Sequence, residues 1–242
     1  NSRYSGKGNA PLIVSIHGGP TSQSVLDFPR EAHYFTSRGY AWLEVNYRGS
    51  SGYGRSYRNA LLGQWGKLDT EDAVSGAQAM ATRGLADGEY MAIYGGSAGG
   101  FTVLNALAQF PGVFKAGIAL YPVSNLFTLS LETHKFEQHY DQSLAGMLPE
   151  AANAYRERSP LFQAEKIKDA LAIFHGSDDR AVPVSQSEAI VDRLVANRVP
   201  HLFHVYEGEG HGFRKPESLN DLYPRIERFL LEHMLFAAGH SR

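Results

Sequence analysis

Short apolar runs alternate with amphipathic stretches along this chain, and the alternation predicts its architecture. Runs rich in Val, Ile, Leu and Ala have the length and composition of buried strands in a parallel sheet. They lie at residues 12–16, 41–46, 90–94, 116–120, 170–174 and 201–206. Because helical stretches separate them, we predict an α/β fold with a mostly parallel, doubly wound sheet and helices on both faces.

Helical periodicity fills most of the segments between the strands. It predicts helices near residues 28–38, 69–83, 101–108 and 185–197, and one more at the C-terminus. Asp69 is expected to cap the second of these helices. Ile226, Phe229 and Leu230 share one face of the last helix, and Pro224 is expected in its first turn. Residues 123–165 are less regular, with patches of helical character, and are predicted to form an irregular insertion or partial lid.

Length and composition narrow the class of protein. A chain of 242 residues fits a single domain over 1–242, and 43% hydrophobic with 20% charged residues is typical of a folded one. The absence of cysteine excludes disulfides, thiolate metal sites and a cysteine nucleophile. A net charge of −2 gives no reason to expect nucleic acid or an anionic membrane as a partner.

The sequence contains no targeting signal or membrane-spanning run. No stretch of 18 apolar residues occurs, and no signal-peptide pattern follows Asn1, so a cytoplasmic location is expected for this chain. Because Asn1 is not a methionine, we expect that the chain was processed or is part of a longer product. The sequence does not decide the oligomeric state, and a homo-oligomer is one alternative.

The glycine-rich stretch around Ser97 carries the first chemical signal. The motif Gly95-Gly96-Ser97-Ala98-Gly99 follows a predicted strand and precedes a predicted helix. Strand, glycine-flanked serine and helix form the context of a nucleophile elbow, in which the Ala98 N–H faces the developing oxyanion. A phosphate-binding loop is the alternative, but its G-x-G-x-x-G or G-K-[ST] spacing is missing. A chance match in a glycine-rich chain is the other alternative.

A base and an acid follow Ser97 in the order that a hydrolase of this type requires. A serine hydroxyl needs a histidine base, and the histidine needs a carboxylate that fixes its tautomer. The adjacent Asp178 and Asp179 follow a later strand, and His211 lies between two glycines after the last strand. The order Ser, Asp, His is that of α/β-hydrolases.

A metal site or a cofactor is not expected. The sequence has no H-E-x-x-H motif. His134 and His139 are spaced for different faces of a helix, and His201 and His204 for opposite faces of a strand.

Six stretches together resemble the catalytic domain of the prolyl oligopeptidase family of serine peptidases, and most closely its acylaminoacyl-peptidase branch. They span nearly the whole chain and read HGGP (17–20), NYRGSSGYG (46–54), WGKLDTEDA (65–73), YGGSAGG (94–100), HGSDD…VP (175–183) and EGHGF (209–213).

The resemblance implies a role for each matching residue. Ser97 is the expected nucleophile, His211 the general base and Asp179 its orienting acid, with Asp178 a neighbour in the turn. Tyr53 matches a tyrosine that donates its hydroxyl to the oxyanion, together with the Ala98 N–H, and Tyr47 is the less favoured candidate. Gly18 and Gly19 are expected to shape the floor of the cleft, where a backbone N–H also has access to the oxyanion.

Two departures from the family pattern concern substrate choice. Family members usually carry a β-propeller before this domain, and these 242 residues contain none; an N-terminal propeller in the full gene product is left open. Many members place Arg or Asn two residues after the catalytic aspartate, where this chain has Ala181.

The resulting expectation is a serine hydrolase that works through a Ser-Asp-His triad and an acyl-enzyme. As a peptidase it would release an N-terminal amino acid or acylated amino acid from short peptides. A carboxylesterase acting on small acyl esters is the alternative, and a catalytically silent binding module is the remote one.

Overall fold

A single six-stranded sheet organises the computed structural model, which describes residues 9–25, 27, 29–132, 140 and 142–236. Every neighbouring pair of strands is parallel, and the order across the sheet is β2-β1-β3-β4-β5-β6. The predicted parallel α/β architecture is therefore confirmed. The strands are β1 Pro11–Ile16, β2 Ala41–Val45, β3 Asp87–Gly96, β4 Ala116–Leu120, β5 Ala170–Gly176 and β6 His201–Tyr206.

Helices connect the strands and cover both faces of the sheet. They are α1 Arg30–Thr36, α2 Arg55–Asn59, α3 Leu68–Thr82, α4 Ala98–Gln109, α5 Leu126–Glu132, α6 Ala152–Arg158, α7 Ser185–Ala196 and α8 Pro216–Leu230. A 3₁₀ segment, Pro160–Lys166, precedes β5, and a π-helical turn, Leu231–Leu235, extends α8.

The core consists of two buried clusters, one on each face of the sheet. Successive side chains of a strand point to opposite faces. Leu12 and Val14 of β1 accordingly pack with residues of α3 and α4, whereas Ile13 packs in the other cluster with Phe35 of α1 and with α8. Burying an apolar side chain of this size stabilises the fold by about 1.5–3 kcal/mol.

The sheet has a topological switch point between β1 and β3. From β1 the chain moves outward to β2, and then returns to place β3 on the opposite side of β1. In open parallel sheets the crevice at the carboxyl ends of such strands is the usual binding site. Here β1 ends at Ile16, directly before His17, and β3 ends at Gly96, directly before Ser97.

Two local expectations need correction. Pro224 was expected in the first turn of the last helix, but helix α8 begins at Pro216 and Pro224 lies in its interior. Asp69 is the second residue of α3, and its fully buried carboxylate accepts hydrogen bonds from Gly66 N and Thr102 Oγ1 instead of capping the helix as its first flanking residue. The helical patches expected in 123–165 are present as α5, α6 and most of the 3₁₀ segment, and the interpretation of this segment as an insertion or partial lid stays a prediction.

Some of the expectations lie outside the described residues. They concern Phe28 at the start of the first predicted helix, the pair His134 and His139, and part of the predicted lid.

Candidate active site

Ser97 occupies a strained turn between β3 and α4. Its backbone has φ 57° and ψ −122°, a conformation that non-glycine residues rarely adopt and that is typical of a nucleophile elbow. The turn is fixed from both sides, because Ser97 N–H donates to Leu120 O at 2.9 Å and Ser97 O accepts from Phe101 N–H at 3.0 Å.

The glycines around Ser97 allow the close approach of β1 and β4. A Cβ atom on Gly99 would lie 2.2 Å from Ile16 O, so only glycine lets the start of α4 pack against the end of β1. A Cβ on Gly96 would lie 3.0 Å from the ring and hydroxyl of Tyr121. The turn therefore requires glycine at positions 96 and 99, because a larger side chain at either position would meet its neighbours.

His211 and Asp179 form a hydrogen-bonded pair. His211 Nδ1 lies 2.7 Å from Asp179 Oδ2, and the side chain of Asp179 is fully shielded from solvent. Because a carboxylate accepts, Nδ1 carries the proton, and Nε2 remains as the basic nitrogen. Asp178 is exposed and accepts instead from Ser177 Oγ, so the structure pairs His211 with Asp179.

The second oxygen of Asp179 is held by backbone. Asp179 Oδ1 accepts from Ala181 N and Val182 N, both at 2.9 Å. Burial would raise the pKa of Asp179, but hydrogen bonds from His175, His211 and Val182 N outweigh burial and hold the pKa well below its usual range. The carboxylate therefore stays ionised, as the partner of a catalytic histidine requires.

His175 lies behind this pair and was given no role by the sequence. Its buried ring donates from Nε2 to Val182 O at 2.8 Å, so Nδ1 accepts from Ser187 Oγ at 2.7 Å. Nε2 also lies 3.5 Å from Asp179 Oδ2. The signal for it was its place at the carboxyl end of β5, four residues before Asp179.

Ser97 and His211 line one cleft of about 630 Å³ at the carboxyl edge of the sheet. The loop after β1 forms a wall of this cleft. A Cβ on Gly18 would lie 3.5 Å from Ser97 Cβ and 4.0 Å from Ala98 N, so the backbone of Gly18 runs directly beside the serine.

His17 stabilises that loop. Its Nδ1 donates to Gly18 O at 2.8 Å, its Nε2 accepts from Ser50 Oγ at 2.7 Å, and its ring stacks on Tyr47 with centroids 4.4 Å apart. Burial lowers the pKa of His17, which favours this neutral, doubly bonded ring. The loop is therefore held rigidly against the elbow.

Tyr53 is not among the residues that line the cleft, and its role as an oxyanion donor stays a prediction. Its side chain is 56% exposed, its hydroxyl accepts from Asn46 Nδ2 at 2.9 Å, and its ring packs against Tyr57. The hydroxyl of Tyr47, the less favoured candidate, is buried and donates to Pro20 O at 2.6 Å. Ala98, in contrast, lines the cleft as the first residue of α4.

Tyr121 is a cleft residue that sequence reasoning missed. It follows β4 directly, has the unusual φ of 37°, and its ring centroid lies 4.7 Å from that of His211. Burial raises its pKa to about 12, with smaller contributions from the nearby carboxylates of Glu31 and Asp179. Its position at the carboxyl end of a central strand was the available signal.

The described part of the chain contains neither a group of metal-ligating side chains nor a membrane-spanning helix. Within residues 9–25, 27, 29–132, 140 and 142–236, no three His, Cys, Asp or Glu side chains are grouped so that they could hold a metal ion. No helix among those residues has the length and apolarity needed to cross a membrane.

The fold and the arrangement of the cleft are those of the α/β-hydrolase class. A strained serine sits at a strand-to-helix turn, and a histidine paired with a buried aspartate lines the same cleft. The model of the prolyl oligopeptidase family matches residues 26–236, and the chain belongs to that family.

Relatives within the family include peptidases of several specificities. Dipeptidyl aminopeptidase BIII of Pseudoxanthomonas mexicana is 32% identical, over 94% of this chain and 34% of the relative. The acylamino-acid-releasing enzyme of Arabidopsis thaliana is 33% identical, over 86% and 28%. A solved Mycobacterium tuberculosis puromycin-hydrolyzing peptidase is 41% identical with a TM-score of 0.91, over 94% and 35%. The chain thus spans about a third of the length of these proteins.

Proposed function

We propose that this chain is the catalytic domain of a serine peptidase that hydrolyses short peptides through a Ser97 acyl-enzyme. The observation that carries the proposal is the His211–Asp179 pair in the cleft that also contains the strained Ser97. Serine peptidases among the relatives, including acylamino-acid-releasing and dipeptidyl aminopeptidase members, support a peptide substrate.

Acylation begins with attack of Ser97 Oγ on the scissile carbonyl carbon. His211 Nε2 takes the hydroxyl proton, and Asp179 stabilises the imidazolium that forms. The carbonyl oxygen becomes an oxyanion, and we assign its binding to the Ala98 N–H with the Gly18–Gly19 backbone. The dipole of α4 adds to this stabilisation, because Ala98 is its first residue.

Collapse of the tetrahedral intermediate breaks the bond to the leaving group. His211 gives its proton to the departing amine, and the acyl group stays on Ser97. Water then enters, loses a proton to His211 and attacks the ester. The acid product leaves, and Ser97 regains its proton from His211.

The shape of the cleft supports an apolar residue on the acyl side. One half of the cleft, which we call the apolar half, is lined by Trp65, Val123, Leu129 and Val182. These side chains belong to the same buried cluster as Ala98. An aliphatic or aromatic side chain next to the scissile carbonyl would be desolvated there.

Ala181 supports a second candidate, a carboxylesterase on small acyl esters. Ala181 lines the cleft and its N–H is bonded to Asp179, so its methyl side chain offers no hydrogen bond to a substrate carbonyl. Esters have better leaving groups and need less positioning than amides.

Parallel turnover assays separate the two candidates. The substrates are p-nitrophenyl esters, aminoacyl p-nitroanilides and N-acetyl-aminoacyl p-nitroanilides that share one apolar acyl residue. A peptidase cleaves the anilides as well as the esters, and the free-amine and acetylated series separate the aminopeptidase from the acylaminoacyl specificity. Ester turnover alone identifies the esterase, and no turnover identifies the binding module.

A propeller domain preceding these residues stays a prediction. It is supported by the relatives, of which this chain covers about a third. The mass of the native gene product tests it, because a full-length member would be about three times as long as this chain. The cytoplasmic location and a homo-oligomer likewise stay predictions, which fractionation and light scattering of that product test.

A further inference from the structure

The cleft has two unlike halves on either side of Ser97. Opposite the apolar half is a second half, which we call the acidic half, formed by Glu31, Tyr94 and Tyr121. Tyr94 belongs to the buried cluster on the α1 and α8 face of the sheet and the partly buried Tyr121 packs against that cluster, whereas the apolar half belongs to the other face. A substrate bound across Ser97 therefore meets different chemistry on its two sides.

Glu31 provides the charge of the acidic half. Among the described residues that line the cleft it is the only Asp or Glu, since the side chain of Asp179 is shielded. Glu31 Oε1 accepts from Tyr223 Oη at 3.0 Å, which fixes the carboxylate in place. In the described part of the chain, no Lys, Arg or His nitrogen lies within 4.0 Å of that carboxylate.

The charge of Glu31 acts close to the reaction centre. Burial raises the pKa of Tyr94 and of Tyr121, and the nearby carboxylate of Glu31 is the next largest cause for both. Tyr121 in turn packs its ring against His211, 4.7 Å between centroids. The negative potential is thus felt on the side of Ser97 where Tyr121 and His211 meet.

That side is the one that the leaving group occupies. His211 delivers its proton to the departing nitrogen, so the leaving group must lie against the imidazole and its neighbour Tyr121. The acyl residue then extends into the apolar half. Glu31 is therefore in reach of the part of the substrate that follows the scissile bond.

We propose that Glu31 binds a positively charged group on the leaving-group side, so that the enzyme favours peptides with Lys or Arg after the scissile bond. The proposal rests on the peptidase function proposed above and names its substrate class. An ammonium or guanidinium would give Glu31 the direct ion pair that no described Lys, Arg or His makes with it, since Arg30 acts on Tyr94 and Tyr223 without pairing with that carboxylate. A carboxylate at the same substrate position would be repelled.

Matched dipeptide amides test the proposal. Phe-Lys-NH₂, Phe-Gln-NH₂ and Phe-Glu-NH₂ share one acyl residue and differ in charge only after the scissile bond; product formation is followed by mass spectrometry. We expect kcat/KM for the Lys peptide to exceed that for the Gln peptide about 5-fold, the effect of a partly exposed ion pair. The ratio should approach one in about 1 M salt.

Variants locate the effect at Glu31. Glu31→Gln should bring the Lys/Gln ratio to about one, and Glu31→Lys should invert the preference toward the Glu peptide. Because each ratio compares two substrates on the same protein, a smaller folded fraction cancels. Glu188→Gln is the matched control, since it removes the same charge from an exposed position of α7 outside the cleft lining and should keep the wild-type ratio.

Three results would overturn the proposal in distinguishable ways. An unchanged Lys/Gln ratio in Glu31→Gln would remove Glu31 from substrate selection. If Glu31→Gln lowers kcat/KM for Phe-Gln-NH₂ but not for acetyl-Phe-Gln-NH₂, then Glu31 binds the free amine on the acyl side instead. Ester turnover without cleavage of any peptide would refute the peptidase function itself, and this specificity with it.

Discussion

His175 supports the His211–Asp179 pair from behind and is not among the residues that line the cleft. Its ring holds Val182 O and Ser187 Oγ and lies 3.5 Å from the oxygen of Asp179 that His211 uses. Loss of this ring leaves buried polar groups without partners and lets Asp179 shift. His175 is thus a positioning residue.

Replacing His175 should therefore lower the rate more than substrate binding. For His175→Leu we expect kcat to fall about 10- to 100-fold with KM nearly unchanged, because misplacement of a catalytic group acts on the transition state. His175→Gln, whose amide can still donate toward Val182 O, should recover part of the rate. Steady-state kinetics check this, and a KM increase at constant kcat would contradict a positioning role.

The sequence predicted which strand-following residues meet at the cleft, but it did not show where a residue deep in a loop would lie. Ser97, Asp179 and His211 each come shortly after a strand, and the carboxyl ends of parallel strands meet at one edge. Tyr53 lies eight residues beyond β2 in a loop whose direction no pattern shows; its hydroxyl accepts from Asn46, and it is not among the residues that line the cleft. Tyr121 was missed because nothing in the motif order points to it.

At the scale of elements, the contact between α4 and the end of β1 fixes the elbow. Gly99 makes this contact possible, since a Cβ there would lie 2.2 Å from Ile16 O and 3.0 Å from His17 O. Neither backbone oxygen can move without displacing the loop that faces Ser97. The glycine is needed for space at this crossing of two elements.

Gly99→Ala should accordingly damage both stability and activity. We expect a loss of about 2 kcal/mol or more in the free energy of unfolding, and a fall of about 100-fold in kcat/KM. Gly76→Ala in α3 is the control, because its Cβ would make ordinary contacts at 3.4 Å with Leu43 and 3.6 Å with Val45. That substitution should stabilise the protein by about 0.5–1 kcal/mol. Urea unfolding and turnover assays distinguish the two variants. If Gly99→Ala changes stability and activity no more than Gly76→Ala does, the close contact between α4 and the end of β1 is not what requires glycine.

Strands were predicted more accurately than helix ends. All six apolar runs form strands, within a few residues of the predicted bounds, because a strand buried on both faces needs a continuous apolar stretch. Helix α8 begins at Pro216, well before the apolar face that marked it. Its first turns were missed because Pro224 was interpreted as a first-turn proline, although Leu219, Leu222 and Tyr223 continue the apolar face toward Pro216.

At the scale of the whole molecule, a buried carboxyl between α3 and α4 makes stability depend on pH. Asp69 is fully buried, and burial raises its pKa to about 6 in spite of hydrogen bonds from Thr102 and Gly66 N. The folded protein therefore holds this proton more tightly than the unfolded chain. Its contribution to stability is present below the unfolded pKa and is lost as the pH rises through about 6.

Asp69→Asn should remove the loss of stability that accompanies ionisation of Asp69 as the pH rises. The amide can accept from Gly66 N and donate to Thr102 Oγ1, so its hydrogen bonds are kept. Relative to the wild type, the variant should gain about 3 kcal/mol in the free energy of unfolding between about pH 4 and about pH 7. Urea unfolding of both proteins at several pH values isolates this group, because all other groups titrate alike. Parallel curves would contradict the buried, proton-holding Asp69.

The central claim is that Ser97 is the nucleophile of an acyl-transferring site that spans the switch point of the sheet. Its backbone strain, the backbone of Gly18 beside it and the ionised Asp179 behind His211 all belong to that one arrangement. Such a serine reacts with fluorophosphonates, whereas an ordinary serine hydroxyl does not.

Fluorophosphonate labelling followed by peptide mass mapping tests this claim most directly. We predict one labelled peptide, modified at Ser97, with labelling abolished in Ser97→Ala and slowed about 10³-fold or more in His211→Ala. Ser97→Ala should also keep the circular dichroism spectrum of the parent and lose nearly all turnover. Labelling at another serine, or a Ser97→Ala variant with near-parental turnover, would contradict the account.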